Sequence, residues 1–203
     1  MADSRNPRIE HSSSTGADPL RELGIFRTAD AIRAGISQPT LSRLARCGVV
    51  KRLEHGLYMH GEATIDPAII DFATALARFG PTSLIGGLTA LFYYHLSDQA
   101  PDRIWVMIRP DNKSTHTGYH FIRTKHDPKV GVVEHPLYRI ATVERAVIES
   151  FRYATKIGYQ TALTAGREAL RSGQVTAKSL HETAVELGLW HVMLKSWEAL
   201  TTR

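Results

Sequence analysis

Apolar residues recur with helical spacing over much of the chain, and the breaks fall at glycine, proline and capping residues. A short helix fits Pro19 to Leu23 and stops at Gly24. Thr28 is placed to cap a second helix that ends at Gly35, with Asp30 in its first turn, where the helix dipole favours a negative charge. Ser37 caps a third helix that tolerates Pro39 in its first turn and ends at Gly48. In that helix Leu41, Leu44 and Ala45 share one face at about 100° per residue. Ser42, Arg43 and Arg46 fall on the opposite side, with Gln38 and Thr40 on the flanks. Counted with its caps, the helix is about 16 Å long, which suits a major groove. Val49 to Leu53 then reads as a strand, Glu54-His55-Gly56 as a turn and Leu57 to Met59 as the return strand. This is the punctuation of a helix-turn-helix with a β-wing.

A second region opens at Asp66-Pro67 with a helix whose buried face is Ile69, Phe72, Ala73 and Leu76, and Gly80-Pro81 stops it. Thr82 or Ser83 starts another helix, apolar on most sides through Leu84, Leu88, Leu91 and Phe92, the pattern of a buried helix. Strands fit Ile104–Ile108, Tyr119–Thr124 and the stretch 130–140. Thr142 caps a helix from Val143 to about Ala154, and three more fit Tyr159–Arg171, Lys178–Leu187 and Trp190–Leu200. Runs of strands followed by runs of helices indicate α+β. The expected architecture is an N-terminal winged helix-turn-helix followed by a mixed α/β domain that ends in a run of helices. Its expected parts are a flexible tail over 1–18, the winged helix over 19–62 and the α+β domain over 63–203.

Composition narrows the function classes. The 203 residues are 43% hydrophobic and 22% charged, ordinary for a folded chain. No stretch approaches the roughly 20 apolar residues of a membrane helix. The polar start has no apolar segment to serve as a secretory signal. A single cysteine, Cys47, rules out an intramolecular disulfide and a cysteine-held metal cluster within one chain, so a cytoplasmic protein is expected. Cys47 itself reads as a small residue rather than a redox switch.

Net charge is +5, and its placement matters more than its size. Between Ser37 and His55, Arg43, Arg46, Lys51 and Arg52 are opposed only by Glu54. That concentration on a helix-turn-helix points to duplex DNA, the plain alternative being a solvated charged face. Arg43 and Arg46 are the candidates to read guanine, whose O6 and N7 match a guanidinium fork. Ser37, Gln38, Thr40 and Ser42 add hydrogen-bonding groups along the same helix. Lys51, Arg52 and His55 are expected to meet phosphates, which position a protein without reading sequence. Tyr58 is expected to pack under the wing.

Other chemistry finds little support. His116, His120, His126 and His135 stand with Lys113, Arg123, Lys125 and Lys129 in a basic stretch. It lacks a His-Glu-x-x-His motif and reads as solvated loop or a second partner surface. Pro110-Asp111 and Asp127-Pro128-Lys129 mimic pieces of a metal-dependent nuclease. Pro128, however, cannot donate to the buried strand such a site needs. No Lys-Ser/Thr follows Gly86-Gly87, so a phosphate loop is not expected. No catalytic residue, metal or cofactor is expected.

The stretch from Phe26 to Met59 resembles the N-terminal winged helix of AbiEi-type antitoxins from type IV toxin–antitoxin systems. The matching parts are Ala34-Gly35, Leu41 and Leu44, Gly48-Val49-Val50, Lys51-Arg52 and Gly56-Leu57-Tyr58. The segments Pro81–Ile108 and Tyr138–Phe151 look like later parts of the same family, with a departure at Gly86-Gly87, where a Ser-Ala pair or similar is the pattern. The resemblance implies a non-enzymatic antitoxin that represses its own operon and counters a nucleotidyltransferase-like toxin, with direct contact between the two left open. The alternative is a winged-helix transcription factor whose second domain senses a ligand or partner.

Overall fold

A computed structural model describes residues 19–126 and 129–202. The expected tail over 1–18 and the Asp127-Pro128 pair lie outside the described residues. The chain divides into two compact units, one ending at Ala63 and the other beginning at Thr64.

The first unit contains α1 (Pro19–Leu23), β1 (Ile25–Arg27), α2 (Thr28–Arg33), α3 (Gln38–Arg46), β2 (Val50–Glu54) and β3 (Leu57–His60). It is a helix-turn-helix with a wing. The wing sheet has three strands in the order β1-β3-β2, all antiparallel. β1 is an addition to the sequence reading. Thr28 is a correction: it is the first helical residue rather than the cap. Arg27 takes the cap position, its backbone N–H donating to Asp30 Oδ2 at 2.8 Å. The turn between β2 and β3 is His55-Gly56, and Gly56 sits at φ 71, a conformation that favours glycine. Leu20, Phe26, Ala31, Leu41 and Val50 form the core, with Ile36, Leu44, Ala45 and Tyr58 packed against it.

The second unit begins with a 3-10 turn at Pro67–Ile69, capped by Asp66, which leads into α4 (Ile70–Phe79). Then come β4 (Leu84–Ile85), α5 (Gly87–Tyr93), β5 (Ile104–Ile108), β6 (Tyr119–Arg123), β7 (Val132–Glu134) and β8 (Arg139–Ala141). The chain closes with α6 (Val143–Arg152), α7 (Ala154–Ile157), α8 (Tyr159–Arg171), α9 (Ala177–Glu186), α10 (Trp190–Leu194) and α11 (Trp197–Thr201). The sheet order is β6-β5-β4-β8-β7. β5 and β6 run parallel, as do β4 and β8, while β4/β5 and β7/β8 are antiparallel.

Four expectations change here. The helix expected from Thr82 or Ser83 begins only at Gly87, because Leu84-Ile85 is drawn into the middle of the sheet. Gly86 then returns its N–H to the Trp105 carbonyl at 3.0 Å. Gly87 is required at that junction: it sits at φ 52, and a Cβ there would meet the Trp105 ring at 2.7 Å, whereas a Cβ on Gly86 would meet only the flexible Met107 side chain. Phe92, read as buried, is 42% exposed. The single strand expected over 130–140 is a hairpin of two short strands, and the last expected helix breaks into α10 and α11.

α6 holds the second unit together. All seven residues from Arg145 to Phe151 are buried. A helix buried all round sits inside a core rather than on it. Gly166 on α8 lets that helix approach: a Cβ there would lie 3.2 Å from Val147 and 2.5 Å from Leu200.

Candidate nucleic-acid interface

The site is built on α3. Its N-terminus is fixed by Ser37, whose Oγ accepts the Thr40 N–H at 3.3 Å and shares a hydrogen bond with the Thr40 hydroxyl at 2.8 Å. Gly48, at φ 77, turns the chain at the other end. Leu41 is buried against the core with Leu44 and Ala45 beside it, which fixes the helix's rotation. Gln38, Ser42, Arg43 and Arg46 are therefore exposed. Arg43 and Arg46 are three positions apart, so their side chains leave the helix on the same side. The nine helical residues span about 13 Å.

Ser37 and Thr40 are thus occupied in the cap, and Thr40 is half-buried. Among the described residues no carboxylate pairs with Arg43, Arg46 or Lys51. Asp30, the acid nearest in sequence on the N-terminal side, is held by Arg33 and by the Arg27 backbone.

On the wing, Val50 is buried, whereas Lys51 and Arg52 are exposed. They lie opposite Met59 and Tyr58 on β3, and the pairing shifts register between Arg52 and Glu54. Arg52 Nε donates to the Glu54 carbonyl at 3.2 Å, and its Nη2 lies 2.9 Å from His55 Nδ1. The guanidinium therefore braces the entry to the turn and holds the imidazole beside it. Tyr58 is half-buried and stacks on Phe26, with centroids 6.1 Å apart. Cys47 is exposed at the C-cap of α3.

The histidines of the middle stretch are held in separate places. His116 Nδ1 accepts from Gly118 N–H. His120 contacts Asp102 at 3.0 Å, His126 meets the Arg152 guanidinium, and His135 stacks on Tyr138. Among the described residues no three His, Cys, Asp or Glu side chains converge to hold a metal. Asp111 pairs with Arg109 at 3.2 Å, which holds its carboxyl below the ordinary range. Lys129 of the nuclease-like pattern is exposed, and Asp127 and Pro128 lie outside the described residues.

Sequence reasoning missed the buried charges of α6. Arg145 and Glu149 are both fully buried, with Nε to Oε1 at 3.1 Å. Burial pushes the Glu149 carboxyl up, outweighing the pull of Arg145. The i, i+4 spacing of the pair was visible, but the same spacing is commonplace on exposed helices. Among the described residues no helix is long and apolar enough to cross a membrane.

Residues 20–59 match the model of the AbiEi antitoxin family of transcriptional regulators. The crystal structure of the RV2827C protein from Mycobacterium tuberculosis is similar to this chain with a TM-score of 0.58 at 14% identity. The match covers 88% of this chain and 72% of that one. The likeness is one of fold. No curated protein matches the chain.

Proposed function

We propose that the protein is a cytoplasmic DNA-binding antitoxin that represses its own toxin–antitoxin operon and counters a nucleotidyltransferase-like toxin. The family matched over 20–59, that of an antitoxin transcriptional regulator, supports the class. The observation that carries the DNA role is the outward face of α3, which bears Arg43 and Arg46 and no carboxylate, next to a wing bearing Lys51 and Arg52.

α3 enters the major groove with Arg43 and Arg46 toward guanine edges, where each planar fork matches O6 and N7. Gln38 and Ser42 add hydrogen bonds to bases or phosphates from the same face. Ser37 and Thr40 act chiefly by stiffening the end of α3. Lys51, Arg52 and His55 contact phosphates and set the register of the helix. Occupying the promoter in this way represses by exclusion and requires no chemistry.

Protection against the toxin belongs to the unit beginning at Thr64, which is far more than a linker and has its own core. Two measurements test the reading. The full chain should bind DNA from its own promoter more tightly than random duplex. It should also restore growth when the adjacent toxin gene is driven from an unrelated promoter, and the winged unit alone should not. Full-length protein that represses its promoter but fails to rescue there would leave a plain repressor.

A further inference from the structure

The second unit contains a polar cleft that the DNA reading does not use. It lies at the C-terminal ends of the parallel strands β5 and β6, the position where α/β sheets commonly seat ligands. A cavity of about 130 Å³ is walled there by Arg109 beyond β5 and by Thr124, Lys125 and His126 beyond β6, with Thr82, Arg145 and an apolar floor that includes Leu84 and Met107. A second cavity of about 250 Å³ shares Thr82 and Arg109 and is lined by Ser83, Asp111 and Asn112. The cleft thus has a cationic end and a polar end.

The cationic end is constructed rather than incidental. Arg145 is fully buried behind the wall. It is held by Glu149 on one side and by the Val130 carbonyl on the other. His126 stands against the Arg152 guanidinium. Burial, and then the charges of Arg152 and Arg145, press its pKa down, so the ring is a neutral hydrogen-bonding group at neutral pH. Arg109 gives one N–H to Asp111, at 3.2 Å, out of the five a guanidinium carries. Among the described residues the first cavity has no carboxylate in its lining. Two exposed cationic side chains, Arg109 and Lys125, and two threonine hydroxyls offer more donors than the two oxygens of a carboxylate accept. A tetrahedral dianion matches them better.

We propose that this cleft binds a small phosphomonoester, its phosphate held by Arg109, Lys125 and the threonine hydroxyls and its body lying toward Ser83 and Asn112. Nothing in this depends on α3 touching DNA, so the two readings fail separately.

The test uses the full chain and isothermal titration with inorganic phosphate, AMP and adenosine. Phosphate and AMP should compete for one site per chain, and adenosine should not bind. Arg109→Ala with Lys125→Ala should weaken AMP roughly tenfold or more, with thermal unfolding unchanged because both residues are exposed. Arg145 is left intact because its removal would endanger the fold. Absence of saturable binding by phosphate and AMP would overturn the proposal, as would AMP affinity equal in the double variant. Adenosine binding as well as AMP would overturn it too. Loss of duplex affinity in the double variant, with no phosphomonoester bound, would instead assign the cleft to nucleic-acid phosphodiesters.

Discussion

The two units put charge in opposite places. In the first, a handful of side chains around Leu41 and Phe26 make the whole core, and the cations stand outside on α3 and the wing. In the second, a much larger core encloses Arg145 and Glu149 at the middle of its central helix. An exposed cation contributes little to stability, so the outward face of α3 is free to be shaped by what it binds. A buried pair is different, because losing one partner strands the other in a low dielectric.

The largest effect expected from this contrast is in the second unit. Glu149→Ala should destabilise it by about 3–5 kcal/mol, seen by calorimetry, because the Arg145 charge is left buried without its counter-ion. Arg145→Met combined with Glu149→Leu should recover much of that loss. If the single change is nearly neutral, the pair is not structural. Next, Leu41→Ala should cost about 2–5 kcal/mol in a unit with few other core residues. DNA binding should disappear while the second unit's transition stays where it was; joint movement of both transitions would break the two-unit picture.

On the exposed side, Arg43→Ala and Arg46→Ala should each weaken promoter binding by about 1–3 kcal/mol without moving the melting temperature. Equal losses on random duplex would reassign them to phosphates. Lys51→Ala should reduce the slope of log affinity against log salt by about 0.9, the release of one counter-ion, and leave sequence preference intact. Arg52→Ala should do the same and also loosen the turn, since its guanidinium bonds both Glu54 and His55.

The smallest effect is a pH dependence confined to the second unit. His126 is held below its ordinary value of 6.5 by burial and by Arg152 and Arg145. The folded ring resists a proton that the unfolded ring accepts, so this contribution is full above the unfolded value and is lost as pH falls from there through the lower folded value. His126→Gln should flatten the stability profile below about pH 6.5.

The winged unit was the more legible because its signals are local. Ser37, Pro39 and Gly48 mark α3 within a dozen residues, and its 3.6-residue stripe alone fixes which side faces out. β1 escaped because three residues carry no alternation. Thr28 misled because a serine- or threonine-type cap is the usual device, whereas here the Arg27 backbone and Asp30 supply it. In the second unit the decisive partners are distant. Leu84-Ile85 continues seamlessly into the apolar run of α5, and only pairing with Met107 and Val106 makes it a strand. The polar cleft was invisible for the same reason: Thr82, Arg109, Lys125 and Arg145 meet only in space. In sequence Lys125 and His126 read only as part of a basic stretch, a solvated loop or a second nucleic-acid or partner surface.

The two-residue strand β4 also sets an order of events during synthesis. Ile85 pairs with Val106 on one side and Ile140 on the other. The centre of the sheet therefore stays open on one flank until β8 has left the ribosome, and α6, which fills the core, follows immediately behind. The winged unit has all its strands once His60 has emerged, β2 and β3 as a tight hairpin and β1 paired to β3 from earlier in the chain. A nascent chain stalled between them would display a folded winged head and an unpaired hydrophobic strand, the kind of surface on which chaperones act.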